Sequence, residues 1–290
     1  MSDFVYLSGR LVPSEEATVS VFDAGFSHGA GLFETLRAYN GRIMSLVDHI
    51  ERLNHSASAL EIPVALDVEQ IRDAADQLME ANDLREARLR LTVTPGNVPR
   101  PGEDPSEDRA PTVLLVAEQV RPYPKELYNT GMRVCICPYR QNPHDPLAGH
   151  KTLGYLPRLL AMKDAAAKRC HEALWFTTDN RLAEGSVSNA FIVRDGGLIT
   201  PPTNTPVLPG TVRKSILGLA AANGISVNEA AINIEELLAA NEVFLTGSVL
   251  EVMPVVAIER HAVGSGAPGE LTMQLAEWYR GSVREQCGTE

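Results

Sequence analysis

Two residues of opposite charge, Lys151 and Glu184, stand in segments whose neighbours suit catalysis. Lys151 follows a polar loop and precedes the apolar run 153–156, where we expect it to open a helix. An ammonium near a helix N-terminus and among apolar neighbours is disfavoured by the helix dipole and by desolvation. The neutral amine can then form an imine with a carbonyl compound and move protons. The chain has four other lysines: Lys125 in a predicted linker, Lys163 and Lys168 in a charged helix, and Lys214 shortly after a proposed phosphate-binding turn.

Glu184 begins the stretch 184–191, in which a Gly/Ser turn leads into a segment of strand-like alternation. One interpretation is a turn carboxylate that accepts hydrogen bonds from nearby backbone N–H groups. The other is a carboxylate that pairs with a protonated pyridine nitrogen, so that the ring stays cationic and can absorb the electrons of a carbanion. Glu184 alone leaves both interpretations open.

Three further segments could bind a phosphate. The planar guanidinium of Arg52 suits a bidentate phosphate contact. The segment 208–213 resembles a loop that opens a helix, whose N–H groups can receive an anion, and 246–248 offers a second Gly/Ser turn. An amine, a ring-nitrogen partner and phosphate ligands are together what pyridoxal phosphate requires. Gly29 and Gly31 do not complete the G-x-G-x-x-G pattern of a dinucleotide-binding loop.

The elements that must position these residues follow from the hydrophobic pattern. Alternation predicts strands, the pair Asn40-Gly41 predicts a hairpin, and a spacing of three to four apolar residues predicts helices. In the first part of the chain, strands are expected within 4–22 and at 32–39, 42–46, 87–94 and 112–118, and helices at 47–60 and 67–82. In the second part, strands are expected at 132–137, 173–178 and 188–194, and helices at 156–170, from 211 and at 270–286.

A segment with two prolines, 119–125, lacks periodicity and predicts a linker. We therefore expect an N-terminal α+β domain over residues 1–118, a linker at 119–131 and a C-terminal domain over 132–290. The long Pro/Gly-rich loop between 95 and 111 is typical of a functional loop. The fold class is α+β with mixed sheets rather than one doubly wound sheet.

Composition argues against a nucleic-acid-binding protein and against a membrane-spanning one. The formal charge of −11 argues against a nucleic-acid surface, and no apolar run reaches the length of a membrane span. The N-terminus has no signal-peptide pattern, so a cytoplasmic location is expected. Cys135 and Cys137 share one face of a predicted strand, and no second Cys/His pair supports a zinc site. Buried thiols in a reducing compartment are the favoured interpretation.

Taken together, these motifs resemble the class IV (fold-type IV) pyridoxal-phosphate-dependent aminotransferases. This family includes branched-chain aminotransferases, D-amino acid aminotransferases and aminodeoxychorismate lyases. The resemblance covers nearly the whole chain. It rests on these segments in collinear order: 31–41, 49–53, Lys151, 184–191, 208–210, and 246–248 with Glu251 and Pro254.

The resemblance implies roles for individual residues. Lys151 matches the Schiff-base lysine, Glu184 the partner of the pyridine nitrogen, and Arg52 the phosphate-binding arginine. Backbone groups at the start of the predicted helix and in the second turn match the remaining phosphate ligands: Gly210, Thr211, Val212, Gly247 and Ser248. It implies pyridoxal 5'-phosphate as cofactor, no metal, and a fold with a small N-terminal α/β sandwich and a larger C-terminal pseudo-barrel, with the cofactor between them. A homodimer or higher homo-oligomer is also implied.

The substrate residues combine features of the subfamilies. Phe33 and Arg37 match the branched-chain pattern, whereas Arg100 resembles the carboxylate-binding loop arginine of the D-amino acid enzymes and the lyases. The companion histidine of the D-amino acid enzymes is replaced by Gly102. Tyr155 stands one residue earlier than the active-site tyrosine of the branched-chain enzymes.

The expected activity is amino transfer between an α-amino acid, with branched-chain L-amino acids favoured, and a 2-oxo acid such as 2-oxoglutarate. Aminodeoxychorismate lyase activity, which releases pyruvate and 4-aminobenzoate, and D-amino acid transfer are the alternatives. A non-catalytic scaffold of the same fold is disfavoured because Lys151, Glu184 and Arg52 are intact. The small-molecule substrates and a second copy of the chain are the expected partners, with no nucleic acid and no membrane.

Overall fold

A computed structural model describes residues 3–99 and 110–289. The chain divides into two compact units, of which the first comprises 1–121, 150–154 and 283–290, and the second 122–149 and 155–282. The domain boundaries expected from the sequence differ in that they assign 150–154 and 283–290 to the C-terminal domain. Segment 150–154 pairs with residue 32, and segment 283–290 is hydrogen-bonded to residues 40 and 42; contacts between segments so far apart in sequence leave no signal in local composition.

Within residues 3–99 and 110–121, the first unit contains six strands and three helices. They are β1 (Phe4–Leu7), β2 (Arg10–Pro13), α1 (Ala24–His28), β3 (Leu32–Tyr39), β4 (Arg42–Ile43), α2 (Leu46–Ala59), α3 (Val68–Ala81), β5 (Ala87–Thr94) and β6 (Thr112–Gln119). The sheet has the order β2-β1-β6-β5-β3-β4, and every neighbouring pair is antiparallel. Of the range 4–22 in which strands were expected, residues 18–22, whose side chains alternate between polar and apolar up to residue 21, do not form a strand. In place of a ladder, the Phe22 carbonyl oxygen accepts from the Val98 N–H at 2.9 Å.

One face of this sheet carries the core. Leu32, Leu36 and Ala38 of β3 pack with the alternate leucines of β5 and with the apolar faces of α2 and α3. Because side chains alternate along a strand, Phe33 and Arg37 project from the opposite face of β3. The alternation of β3 thus places Phe33 and Arg37 on the face of the sheet that does not carry this core.

The second unit contains nine strands, which form one mixed sheet, and several helices. Its elements are α4 (Lys125–Thr130), β7 (Met132–Gln141), α5 (Leu156–Ala167), β8 (Glu172–Thr177), β9 (Leu182–Gly185), β10 (Asn189–Arg194), β11 (Gly197–Thr200), α6 (Thr211–Ala222), β12 (Val227–Glu229), α7 (Ile234–Leu238), β13 (Glu242–Gly247), β14 (Glu251–Ile258) and β15 (His261–Ala262). A last helix, α8 (Glu270–Cys287), begins in this unit. The strand order is β12-β11-β10-β13-β14-β7-β8-β9, with β15 on β14. Helix α4 lies inside the segment that was expected to be a linker.

The four cysteines are buried free thiols. Cys135 and Cys137 pack on one face of β7 against Ala161 and Ala165 of α5, as the alternation predicts. Burial raises the pKa of the Cys135 thiol to about 12, so it remains protonated at neutral pH. Within the described residues, no cluster of potential ligands could hold a metal ion, and no helix is long and apolar enough to cross a membrane.

Candidate functional site

Lys151 is held by backbone pairing with the start of β3. The Phe33 N–H donates to the Lys151 carbonyl oxygen at 2.9 Å, and the Leu153 N–H donates to the Gly31 carbonyl oxygen at 3.0 Å. Strand β4 pairs only with the far end of β3, so the edge near Leu32 accepts the segment 151–153 instead. Gly31 has a φ of 154°, and a Cβ there would meet the carbonyl oxygen of Val93 at 2.5 Å. A side chain at position 31 would therefore disturb the place where the Lys151 segment pairs.

The expectation that Lys151 opens a helix is wrong. Lys151 lies in an extended segment, and α5 begins five residues later, at Leu156. Pro157 lies in the first turn of α5, where its missing N–H is tolerated. A proline at this position favours a helix that begins here and not at Lys151. The helix dipole therefore gives no account of the lysine's chemistry.

The Phe33 ring lies beside the side chains of Lys151 and Arg90. Lys151 Nζ is 4.4 Å and Arg90 Cζ is 3.8 Å from the ring centroid. Both distances are within the range of a cation–π contact. Arg90 was not singled out from the sequence; the alternation of β5 places it opposite the core face, but only the register with β3 brings it to Phe33. An amine and a guanidinium thus share one aromatic surface.

Arg37 does not join the cluster of Phe33, Lys151 and Arg90. Its Nη2 donates to Glu86 Oε2 at 2.5 Å, and its guanidinium lies 4.3 Å from the centre of the Tyr39 ring. It stands four residues beyond Phe33 on β3, which is about 13 Å at roughly 3.3 Å per residue. Its role as a substrate ligand stays a prediction. Arg100 lies outside the described residues.

Arg52 is oriented by a buried carboxylate. Its Nε donates to Glu34 Oε1 at 2.8 Å and its Nη2 to Glu34 Oε2 at 2.5 Å, which is the side-on geometry of a bidentate pair. His49 Nδ1 lies 2.8 Å from Glu34 Oε2. Glu34 and His49 are each about 1% exposed. The planar guanidinium is therefore fixed by α2 and β3 together.

Burial and the neighbouring charges determine the protonation states of Glu34 and His49 beside Arg52. Burial of Glu34 opposes its ionisation, but Arg52 and His49 outweigh that effect and lower its pKa to about 2. Burial lowers the pKa of His49, and the contact with Glu34 only partly offsets this. At neutral pH the group is then a carboxylate, a neutral imidazole and a guanidinium. The net charge is zero, so the guanidinium sits beside a compensating charge.

Glu184, in the second unit, is bound on both oxygens. Oε1 accepts from Arg158 Nη2 at 2.5 Å and, more weakly, from Gln141 Nε2 at 3.4 Å. Oε2 accepts from the Leu208 N–H at 3.0 Å and lies 3.5 Å from Asn189 Nδ2. The residue is 7% exposed. The contact with Leu208 joins two sequence motifs, 184–191 and 208–210, that are separated along the chain.

Asn189 joins the same loop to the start of α6. Its Nδ2 donates to the Leu208 carbonyl oxygen at 2.8 Å, and its Oδ1 lies where a Cβ on Gly210 would be. Gly210 is the residue before α6, and its lack of a side chain leaves the first turn without a side-chain cap. The backbone N–H groups at Thr211 and Val212 are therefore of the type that receives an anion.

The second turn lies beside the first. Thr246 of β13 pairs with Asn189 of β10 in the sheet register, and Gly247 and Ser248 follow it. Thr246 is 1% exposed, and its Oγ1 is buried without a hydrogen-bond partner. An unsatisfied buried hydroxyl is costly, so a ligand atom that accepts or donates there would be favoured.

Tyr155, the residue before α5, and Arg158, within α5, contact the segment 184–186. The Tyr155 hydroxyl donates to the Ser186 carbonyl oxygen at 3.0 Å, and Arg158 Nη1 donates to the Gly185 carbonyl oxygen at 2.8 Å. Tyr155 was expected to contact substrate, and that role stays a prediction. Arg158 was missed, because in the sequence it is one more charged residue of a helix.

The comparisons with known proteins agree with these motifs. The family model described as Amino-transferase class IV matches residues 31–258. The "Putative branched-chain-amino-acid aminotransferase" of Methanocaldococcus jannaschii is 36% identical over 285 residues, covering 98% of this chain and 97% of the relative. The aminodeoxychorismate lyase of Bacillus subtilis is 32% identical over 282 residues (97% and 94%), and the D-alanine aminotransferase of Bacillus licheniformis 30% over 279 residues (96% and 96%).

Solved structures give the same result. The branched-chain amino acid aminotransferase of Escherichia coli has a TM-score of 0.90 and 28% identity, covering 97% of this chain and 94% of that one. The branched-chain aminotransferase of Thermoproteus uzoniensis with norvaline has a TM-score of 0.88 and 31% identity, covering 100% and 96%. The α+β, fold-type IV class expected from the sequence is confirmed. This chain is an enzyme that belongs to the class IV aminotransferase family.

Proposed function

We propose that this enzyme transfers the amino group of a branched-chain-type L-amino acid to a 2-oxo acid such as 2-oxoglutarate, with pyridoxal 5'-phosphate as its cofactor. The observation that carries the proposal is the assembly around Asn189. Its side chain contacts Glu184 and the loop before α6, a helix that begins without a side-chain cap, and its backbone pairs with Thr246, the first residue of the 246–248 turn. In this proposal, Glu184 is the partner of the ring nitrogen, and the start of α6 and the 246–248 turn are the two sets of anion ligands.

The residues present fit this cofactor. Thr246 has a buried hydroxyl without a partner, and the first turn of α6 lacks a side-chain cap. Glu184 is a buried carboxylate, of the kind that stabilises a protonated ring nitrogen. We propose that the phosphate is bound by the Arg52 guanidinium and by backbone or hydroxyl groups of two turns: Gly210, Thr211 and Val212 in the first, and Gly247 and Ser248 in the second. Branched-chain aminotransferase structures solved with pyridoxamine 5'-phosphate and with N-(5'-phosphopyridoxyl)-L-glutamate support the assignment.

The chain's own residues then have separate tasks. When bound, the cofactor supplies a carbonyl carbon that takes up the amino group and a ring that withdraws electrons from Cα. Lys151 Nζ would hold that carbonyl carbon in the resting enzyme; once the substrate amine has displaced it, the freed amine would accept the proton from the substrate Cα. Phe33 and Arg90 lie beside Lys151, so the phenyl ring can shield the amine from water while the guanidinium attracts a carboxylate.

The preference for a branched-chain L-amino acid rests on the relatives named for that substrate and on Phe33. Two structural relatives and the 36% identical relative carry the branched-chain name. A buried phenyl ring beside the lysine favours an apolar side chain over a charged one. Substrates of this kind should bind with their apolar part near that ring.

A panel of donors tests the proposal. The protein, loaded with pyridoxal phosphate, is supplied with 2-oxoglutarate and either L-leucine, L-valine, L-aspartate or D-alanine, and glutamate formation is measured. We expect L-leucine and L-valine to give the highest kcat/KM, and Lys151→Ala to give no turnover. Higher kcat/KM with D-alanine would replace the L-specific proposal with D-amino acid transfer. Turnover by Lys151→Ala at wild-type rates would contradict the proposed role of this lysine.

Aminodeoxychorismate lysis is the second candidate, because the Bacillus subtilis lyase is 32% identical over nearly the full length of both chains. That reaction needs no amino acceptor. Incubation with aminodeoxychorismate and no 2-oxo acid therefore separates the two candidates. Release of pyruvate and 4-aminobenzoate at rates above those of leucine transfer would favour the lyase.

We further propose a homodimer as the smallest assembly. Val21, Phe22 and Phe26, in and before α1, are 65%, 50% and 76% exposed, which is unusual for clustered large apolar side chains. A second copy of the chain would cover them. Light scattering after size-exclusion chromatography should give twice the chain mass of 31.5 kDa for the wild type and a smaller mass for Phe26→Asp. A monomeric wild type would contradict this proposal.

A further inference from the structure

Arg158 is anchored on three sides next to Glu184. Its Nη2 donates to Glu184 Oε1 at 2.5 Å, and its Nη1 donates to the carbonyl oxygen of the next residue, Gly185, at 2.8 Å. Its guanidinium carbon lies 4.7 Å from the centre of the Trp175 ring. A planar guanidinium with two bonded nitrogens and one face on an aromatic ring has little rotational freedom left.

The aromatic platform is itself fixed. Trp175 is 4% exposed, and its Nε1 donates to Ser186 Oγ at 2.9 Å. The contacts of Arg158 and Trp175 therefore reach three consecutive residues, Glu184, Gly185 and Ser186. The position of Glu184 is defined through its neighbours as well as through its own side chain.

The place of Arg158 in its helix is unfavourable for the helix alone. It is the third residue of α5, close to the positive end of the helix dipole, where an acidic residue would be preferred. The charge-assisted bond to Glu184 offsets that disadvantage. Since Oε2 of Glu184 is held by the Leu208 N–H and Oε1 by Arg158, the plane of the carboxylate is fixed from two elements.

We propose that Arg158 is a positioning residue, which holds the Glu184 carboxylate in the orientation that pairs with the ring nitrogen of the cofactor. This inference rests on the proposed function, in which Glu184 has that partner. Without Arg158, the Leu208 N–H still holds Oε2, but Oε1 keeps only the longer contact with Gln141, so the carboxylate is less firmly oriented and part of the binding free energy is spent on ordering it. The loss should concern the ring nitrogen and leave the phosphate contacts intact.

A ligand pair isolates this effect. Equilibrium dialysis of the cofactor-free protein measures the Kd of pyridoxal 5'-phosphate and of its analogue in which a CH group replaces the ring nitrogen. Dialysis is preferred to tryptophan emission because Trp175 touches the substituted side chain. In Arg158→Gln we expect the Kd of pyridoxal phosphate to rise about 10- to 100-fold, as for the loss of an outer-shell partner. The Kd of the analogue should change less than about threefold.

Two further variants make the result specific. Arg158→Lys keeps the charge without the forked geometry and should fall between the wild type and Arg158→Gln for pyridoxal phosphate. Arg140→Gln is the matched control, since Arg140 also donates to a backbone carbonyl, that of Cys137, and lies 5.9 Å from the Phe176 ring. It should leave both dissociation constants unchanged. In a Glu184→Gln background, Arg158→Gln should add little, because the two residues act on the same contact.

The outcomes separate the inference from the function on which it rests. An equal rise in both dissociation constants, or no rise in either, would overturn the positioning role of Arg158 while leaving cofactor binding in place. A wild-type protein that binds the analogue as tightly as pyridoxal phosphate would remove the role of Glu184 and this inference with it. A wild-type protein that binds neither ligand would overturn the proposed function itself.

Discussion

The side-chain oxygen of Asn189 occupies the space that a side chain on Gly210 would need. Asn189 belongs to β10, and Gly210 is the residue immediately before α6. The same asparagine donates to the Leu208 carbonyl oxygen, so the loop is held against the strand by an amide and by the absence of a Cβ. This contact determines where the N–H groups of the first turn of α6 lie.

Gly210→Ala should therefore damage ligand binding by a steric route. The new methyl group must displace Asn189 or the loop, so we expect weaker binding of pyridoxal phosphate, by about tenfold or more, and a loss of about 1–3 kcal/mol in the free energy of unfolding. Gly218→Ala is the control in the same helix, because a Cβ there meets nothing within 4 Å. It should stabilise α6 by up to about 1 kcal/mol. Calorimetry and dialysis measure both effects, and unchanged binding by Gly210→Ala would contradict the assignment of this turn.

Thr246→Val should have opposite effects on the stability of the cofactor-free protein and on its affinity for pyridoxal phosphate. Valine has nearly the shape of threonine without the hydroxyl that lacks a partner, so the cofactor-free protein should gain about 1 kcal/mol, whereas pyridoxal phosphate should bind less tightly. Thr200→Val is the matched control: the Thr200 hydroxyl donates to the Ala190 carbonyl oxygen at 2.8 Å. That variant should lose about 1 kcal/mol and keep its affinity. If Thr246→Val bound the cofactor as well as the wild type, the hydroxyl would have no part in the site.

Glu34 predicts a particular dependence of stability on pH. Its pKa is lowered from 4.5 to about 2 in the folded protein, so its contribution is present above pH 4.5 and is lost as the pH falls from about 4.5 to about 2. A shift of this size corresponds to a free energy on the order of 3 kcal/mol. Glu34→Gln should lack this component and should also be less stable at pH 7, because Arg52 loses its buried partner.

Urea unfolding at pH 7.0, 4.5 and 3.0 measures this difference. Glu69→Gln is the control, since Glu69 pairs with Arg72 on the exposed side of α3 and should contribute less than about 0.5 kcal/mol. Parallel pH curves for the wild type and Glu34→Gln would contradict the lowered pKa of Glu34.

Arg90 and Arg37 should differ in their kinetic effects. Arg90 lies on the Phe33 ring together with Lys151, whereas Arg37 is paired with Glu86. Arg90→Gln should raise the KM for a carboxylate substrate by about 10- to 100-fold, the equivalent of one charge-assisted hydrogen bond. Arg37→Gln should change KM less than about threefold by the same argument. The reverse order, measured by steady-state kinetics with 2-oxoglutarate, would restore the sequence-based assignment of Arg37.

Local structure was largely predictable because it depends on neighbours in the sequence. The alternation of arginine and leucine predicts a strand at 87–94, which is the extent of β5, and the apolar spacing of α2 and α3 gives their ends to within one residue. The motifs of residues 184–191 and 208–210 also predicted a common site, and the bond between Glu184 and Leu208 joins them.

What the sequence did not reveal depends on register between distant segments. The pairing of Leu153 with Gly31 spans more than a hundred residues, so nothing local indicates that Lys151 lies on a sheet edge rather than at a helix end. The contacts of Arg90 with Phe33 and of Arg158 with Glu184 likewise follow from strand register and helix placement. Each of these arginines, read alone, has the pattern of a solvated side chain.

The attachment of pyridoxal phosphate to one lysine tests the account most directly. The chain has only five lysines, so the site can be identified without ambiguity. The protein is incubated with pyridoxal phosphate, reduced with borohydride to make the link to the amine permanent, digested, and analysed by mass spectrometry. We predict one phosphopyridoxyl group per chain, on Lys151, and none in Lys151→Ala. A stoichiometric label on Lys125, Lys163, Lys168 or Lys214, with Lys151 unmodified, would contradict the central claim.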